Sequence, residues 1–445
     1  MQEMKLRNPA INTMRILFQN RANAFDMPGG DTVVMKRLKE QLELHGATVD
    51  FSPHPDPENI SSYDLIHLFN LTVPQCTESF AKNAVRRNIP FVVTSLQEDF
   101  PQYYHKAIAA VAWFRDYVAA QTAGRKPSIE LSQAIAQANP VNLLTSPFAA
   151  QAADRIFACG RTEADFIRSI FPNAKLAAVH FGSSIKEIEA PASLFEQTFG
   201  IKDFILVVGR LETRKNQLML LHALKSSALP IVFADGGFTY QPEYTQLCRN
   251  YRRKGPVLFT GRLTDELLVS AYRACRLHCL PSWYELPGLV SIEAARYGCP
   301  IAASSWGCLP DYLQDACTWC SPEDPSSIHD AVVSAYENGE RGAAAAIAAD
   351  FTWEQFGKET ILQYEQLLQE HSKFSPELVA FAQQELQKPS FELFINQITQ
   401  LVKQNKLSEA LVFYDKNRGK FADNANELVQ ADSLMQRLRL MVKRS

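Results

Sequence analysis

Phe204-Ile-Leu-Val-Val-Gly-Arg-Leu-Glu-Thr-Arg-Lys-Asn216 opens with an unbroken apolar run and then breaks at a glycine into a charged turn. A half-solvated strand would alternate apolar and polar residues. A continuous run bounded by a turn is the pattern of a parallel strand covered on both faces. The same form recurs at residues 14–18, 65–69, 90–94, 155–159, 231–235, 257–261, 277–281 and 300–304. Helical patterns lie between most of these runs; Val34, Leu38 and Leu42, for example, recur at i+4. The class is therefore α/β, with parallel sheets joined by right-handed crossovers.

There are too many strands for one comfortable sheet. They fall into two groups, before and after about residue 185, with Phe181-Gly-Ser-Ser-Ile185 as a linker. We read 1–184 as an N-terminal domain, 185–371 as a second domain and 372–445 as a helical extension. Within the first, residues 100–150 form an insertion. Its centre, Gly124-Arg-Lys-Pro127 through Asn139-Pro-Val141, has weak periodicity and reads as a mobile surface element. The extension has one glycine, Gly419, and no tryptophan. Phe394, Ile398 and Leu401 repeat there at helical spacing, and Asn405 to Tyr414 reads as the second helix of a hairpin. Its last residues, from Arg437 to Arg444, are locally basic and could meet a membrane surface or a partner.

Composition narrows the function. A net charge of −3 leaves no basic excess to neutralise a nucleic-acid backbone. No apolar run is long enough to span a bilayer, and the first residues lack the apolar core of a signal peptide, so we expect a cytosolic protein, at most peripheral to the inner membrane face. The nine cysteines are odd in number and complete no Cys/His zinc pattern, so reduced thiols are expected and no metal site is assigned. Residues 1–190 carry 19 basic and 19 acidic side chains, which does not favour a bilayer-bound acceptor.

Three constellations could carry chemistry. Gly29-Gly30 follows the first strand, with Asp31 or Thr32 as the N-cap of the next helix; bare amides at a helix start suit an anion. Arg210 and Lys215 flank a turn at a strand end and can converge on one phosphate, while Arg214 could face solvent. In Pro281-Ser-Trp-Tyr-Glu-Leu-Pro-Gly-Leu-Val-Ser-Ile-Glu-Ala294, the Pro287-Gly288 turn precedes a helix starting near Leu289. It would aim Glu285 into a cleft together with the amides of Leu289 and Val290, and Glu293 lies on the inner face of that helix.

Taken together, Gly209-Arg210 with Lys215-Asn216, Gly261-Arg262-Leu263, Pro281-Ser282 followed by Glu285 and Glu293, and Gly298-Cys-Pro300-Ile-Ala-Ala-Ser304 resemble a retaining glycosyltransferase of family 4. Phe351-Thr-Trp353 and the helix after it resemble that family's closing segment, which crosses back to the first domain. The resemblance implies a GT-B fold: two Rossmann-like parallel-sheet domains facing a central cleft. It implies transfer of a hexose from a nucleotide-diphosphate donor to a glycan, glycoprotein or other hydroxyl acceptor, with no metal and no further cofactor. Arg210 and Lys215 would hold the diphosphate and Glu285 the donor sugar. Glu293 would bind the ribose, and Leu289, Val290, Pro287, Gly288, Gly29 and Gly30 would complete the cradle. Arg262 and Leu263 would lie near the base. The family's Glu-Gly-Phe-Gly stretch is here Glu285-Leu-Pro-Gly288. The His it often carries after the strand ending at Thr94 is missing, leaving Glu98, Asp99 or His105 as acceptor-side candidates. The alternative is a non-catalytic nucleotide-sugar-binding scaffold that recruits partners, or a second copy, through its helical tail.

Overall fold

The apolar runs do become strands, and they pair only in parallel. In this computed structural model, residues 11–183, 188–388, 391–404 and 406–419 are described, with a few positions beyond (431–432, 435–436 and 439). Twelve strands are present among them: β1 (Arg15–Gln19), β2 (Thr48–Phe51), β3 (Leu65–Phe69), β4 (Phe91–Thr94), β5 (Arg155–Ala158), β6 (Leu176–Ala178), β7 (Ile205–Val208), β8 (Ile231–Ala234), β9 (Val257–Phe259), β10 (Leu277–Leu280), β11 (Ile301–Ser304) and β12 (Thr318–Cys320). They form two six-stranded sheets, ordered β2-β1-β3-β4-β5-β6 and β12-β11-β10-β7-β8-β9. The register of β7 against β8 (Ile205 opposite Ile231, Val208 opposite Ala234) is parallel, like that of the other pairs. The central strands β3, β4, β7, β8, β10 and β11 are buried at every residue, as double coverage by helices requires. This is the GT-B arrangement that the sequence implies.

β2, β6 and β12 escape the sequence reading. All three are short and lie at or near sheet edges, so their residues are only partly buried and the apolar run is lost.

Each sheet reverses its strand order once, between β1 and β3 in the first and between β7 and β10 in the second. Loops at the carboxyl ends of strands flanking such a reversal diverge and leave a crevice, the usual ligand position in open α/β sheets. Both crevices open toward one another.

Residues 100–150 are not a loose element. Phe100–Ala123 is one long helix whose Tyr103, Ala107, Ala110, Trp113, Phe114 and Val118 are buried. It packs on the second domain along much of its length. Tyr103 stacks on Tyr284 with ring centroids 5.4 Å apart, and Lys106 pairs with Glu323 at 2.5 Å. Trp113 and Tyr117 meet the His222 ring edge-on, and Gln121 donates to the Arg252 carbonyl at 3.2 Å. Even Leu131 and Ile135, within the weakly periodic centre, are buried in the short helix Leu131–Ala136.

The chain returns to the first domain as expected. Ser183 bridges Thr352, and the helix Trp353–Glu370 lies on the helix Gly30–Leu44. The Tyr364 hydroxyl bonds His67 Nδ1 at 2.5 Å, and His67 Nε2 bonds Thr94 at 2.7 Å. Full burial pulls the His67 pKa down to about 3, so this imidazole stays neutral. The helix Pro376–Gln387 packs on Pro74–Arg87, and Phe391–Lys403 packs on Leu407–Asn417 around Phe394, Ile398 and Tyr414. Ser184 and Ile185 of the linker, and the basic end apart from Arg439, lie outside the described residues. All nine cysteines are free thiols, eight of them buried. Among the described residues no helix is long and apolar enough to cross a membrane.

Candidate functional site

β7 ends at Val208, and the next residue, Gly209, has a φ of +135° that favours glycine. The chain then runs through Arg210 to a single 3₁₀ turn, Thr213–Lys215, and on to Asn216 at φ +60°. The Asn216 side chain donates to the carbonyls of Pro281 (3.0 Å) and Pro322 (2.8 Å), and Trp283 N–H donates to the Arg214 carbonyl at 2.8 Å. The post-β7 and post-β10 loops are thereby stapled together, which is why residues 70 positions apart share one site.

Glu285 is fixed by its backbone. It bridges Gly307, accepts from the Cys308 N–H at 2.8 Å and donates to the Trp306 carbonyl at 3.3 Å. A Cβ on Gly307 would fall 1.8 Å from the Glu285 oxygen, so only glycine permits this approach. Lys215 Nζ donates to Glu285 Oε1 at 2.5 Å, and Arg214 Nη1 lies 3.5 Å from Oε2. Burial opposes charge on Glu285, but Lys215 and Arg214 outweigh it and hold the pKa below the ordinary carboxylate value. Arg210 and Arg214 pair with Glu212 at 3.3 and 3.5 Å. Arg210 Nη1 also donates to the Pro28 carbonyl across the cleft at 3.3 Å.

On the facing wall, the helix Gly30–Leu44 begins from Gly29 as its N-cap, not from Asp31 or Thr32. The Asp31 carboxylate instead turns back: it accepts the Thr32 N–H at 2.8 Å and both Nε and Nη2 of Arg21 at 2.9 and 3.0 Å. A Cβ on Gly29 would meet Asp31 Oδ1 at 2.9 Å, whereas one on Gly30 would meet nothing within 4 Å. The post-β4 loop is shaped by the buried Glu163, which accepts from Ser95 Oγ (2.6 Å), Gln97 N–H (2.6 Å) and Cys159 N–H (2.7 Å). That clamp holds Leu96 at φ +45° and delivers Glu98, which accepts from the Tyr103 hydroxyl.

The two walls enclose a cavity of about 640 Å³. Of the residues expected from sequence, Gly29, Gly30, Arg210, Lys215, Glu285, Pro287, Gly288, Leu289, Val290 and Glu98 line it. Arg262, Leu263, Glu293, Asp99 and His105 are not among its lining. Arg262 and Leu263 follow β9 at the sheet edge, away from the strand-order reversal. Glu293 is buried one turn deeper in the helix Leu289–Arg296 and accepts from the Tyr272 hydroxyl at 3.3 Å. Asp99 caps the helix Phe100–Ala123 through the Gln102 N–H. The sequence allowed Arg214 to face solvent, yet it belongs to the Glu285 network; burial opposes its charge, but Glu285, Glu98 and Glu212 raise its pKa overall. It missed Arg21, Asp31 as a lining carboxylate, Asn70, Thr72, Leu96 and Glu212. Nothing local marks these residues; only the crevice gathers them.

Residues 194–350 match the family model described as glycosyl transferases, group 1. The chain is 27% identical over 241 residues to the serotype-specific mannosyltransferase WbdA of Escherichia coli, a match covering 49% of this chain and 29% of that protein. It is 28% identical over 218 residues to the uncharacterized glycosyltransferase MJ1607 of Methanocaldococcus jannaschii, covering 44% and 56% respectively. The chain thus spans about half the length of these curated relatives or less. Solved structures share the fold, among them these two. Sucrose-phosphate synthase from Thermosynechococcus elongatus aligns with a TM-score of 0.56 at 18% identity, covering 80% of this chain and 100% of that one. Anabaena Alr3699/HepE in complex with UDP-glucose aligns with 0.55 at 17%, covering 79% and 99%.

Proposed function

We propose that this chain, whose second domain matches the group 1 glycosyl transferases, moves a hexose-type sugar from a nucleotide-diphosphate donor to an acceptor hydroxyl with retention at the anomeric carbon and without a metal. The observation that carries the reading is the constellation lining the cleft: Arg210, Arg214 and Lys215 gathered on Glu212 and Glu285, with Leu289 and Val290 of the next helix start lining the same cavity.

In this reading Arg210 and Lys215 bind the diphosphate and neutralise the charge it gains as the glycosidic bond breaks. Glu285, kept ionised by its two cationic neighbours, accepts hydrogen bonds from donor-sugar hydroxyls. The nucleoside extends past the helix Leu289–Arg296 toward Glu293 and the Arg262–Leu263 loop. The departing phosphate takes the acceptor proton, so the wall facing it need supply no strong base; the enzyme contributes position and electrostatics. Glycan or glycoconjugate assembly in the cytoplasm is the setting this reading favours.

A thermal-shift series with UDP, GDP, ADP and dTDP tests it, since a ligand bound to the folded chain raises the melting temperature by mass action. One nucleotide should stand out, and its hexose conjugates should then be turned over. A chain that binds none of the four ends the proposal. Tight binding with no turnover of any conjugate would favour the scaffold.

A further inference from the structure

We propose that the first-domain half of the cavity selects an uncharged, polyhydroxylated acceptor, a sugar that bears no phosphate, and that Glu98 enforces this choice. The inference rests on the glycosyl-transfer reading above and names its acceptor class.

The cavity is lined by four cations, Arg21, Arg210, Arg214 and Lys215, and four carboxylates, Asp31, Glu98, Glu212 and Glu285. It is neutral before any substrate enters, and a donor diphosphate makes it negative. A second phosphate would then need a cation of its own. Among the described lining residues of the first domain only Arg21 is basic. Its guanidinium is engaged at every nitrogen: Nε and Nη2 on Asp31, Nη2 also on the Met27 carbonyl at 2.8 Å, and Nη1 on Asn23 Oδ1 at 3.0 Å. An incoming anion would have to displace a buried carboxylate from a two-point pair, a poor exchange in a crevice.

The helix start at Gly30 already has a carboxylate beside it. Its dipole favours an anion, but the Asp31 carboxylate already takes the Thr32 amide at 2.8 Å and supplies the negative charge there. Glu98 adds a further negative group. One of its oxygens accepts from Tyr103, and a carboxylate in a cleft accepts from sugar hydroxyls as readily as it repels phosphate. Asn70 and Thr72 line the same wall with neutral polar groups, and Val33, Val34 and Leu96 give apolar surface for the C–H face of a sugar ring.

The test uses the full chain with the donor conjugate found above. Acceptors are the methyl glycosides of mannose, glucose and galactose with their neutral disaccharides, against the 6-phosphates of the same three sugars. Donor turnover is followed by nucleoside-diphosphate release and transfer by mass of the product. The best neutral acceptor should exceed the best phosphate in kcat/KM by about tenfold or more. Glu98→Gln keeps an oxygen for Tyr103 and should narrow that ratio by raising use of the phosphates. A phosphorylated sugar that matches or beats the neutral ones overturns the proposal, as does donor turnover with no neutral acceptor extended. An unchanged ratio in a Glu98→Gln protein of normal melting temperature removes Glu98 as the selector. Loss of both nucleotide binding and donor turnover would instead strike the underlying reading, and the acceptor class with it.

Discussion

Lys215 and Glu285 illustrate why single residues decide this site. Their contact at 2.5 Å is buried, so each charge depends on the other. Replacing Arg210 or Lys215 by Ala should lower turnover by ~10²–10³, the scale of losing one preorganised donor to a developing anion. Steady-state kinetics with the identified donor would show it, and near-normal turnover in both would remove the assignment. The pairing also predicts a pH signature. The Glu285 pKa is depressed in the folded chain, from an ordinary value of 4.5. A depressed carboxylate stabilises the fold above its unfolded pKa and loses that contribution as pH falls through the folded value. Thermal melts taken downward from pH 4.5 should therefore fall more steeply for the native chain than for Glu285→Gln; parallel curves would contradict the coupling.

At the scale of elements, the site depends on contacts that bring loops together across long sequence distances. Gly307 lets the segment at Glu285 lie against its own backbone. Gly307→Ala should cost ~2 kcal/mol or more from overlap and a left-handed φ of +101°. It should also lower kcat in protein that remains folded, since Glu285 is what moves; unchanged kcat and melting temperature would refute this. A second joint links the domains. Asp311, in the helix Leu309–Leu313, accepts from Thr162 N–H at 2.7 Å and Thr162 Oγ1 at 3.1 Å, capping the first-domain helix Arg161–Ile170 from the other domain. That helix carries Glu163, the clamp of the Glu98 loop. Asp311→Ala should therefore cost ~1 kcal/mol as a lost cap and also raise the acceptor KM. A stability loss with an unmoved KM would confine Asp311 to capping.

At the scale of the molecule, the helix Phe100–Ala123 of the first domain packs on the second domain and links the two. Trp113 is 7% exposed and meets the His222 ring of the second domain edge-on, with centroids 5.3 Å apart. An apolar interface of this kind resists the independent motion expected of domains joined by polar contacts. Trp113→Ala should destabilise by ~3–5 kcal/mol and split a single urea transition into two, read by far-ultraviolet circular dichroism. One sharp transition at a slightly lower midpoint would show that the domains are coupled elsewhere.

The central strands were legible because double burial demands an unbroken apolar run, and that demand is local. β2, β6 and β12 were not: an edge strand is held by one neighbour and needs no such run, although the edge strand β9 keeps one and was read. Residues 100–123 read as an insertion because the face that binds them belongs to another domain, outside any local window. The same division holds in the cleft. Glycines, the Pro287-Gly288 turn and the basic spacing of Arg210 and Lys215 are set by backbone geometry within a few residues, so the sequence alone determined them. Which carboxylate each cation meets, that Gly29 rather than Asp31 or Thr32 caps the helix while Asp31 pairs with Arg21, and that Glu98 rather than Asp99 or His105 enters the cavity were decided only by the tertiary structure. Charges act through space, and their partners here come from loops tens to hundreds of residues apart.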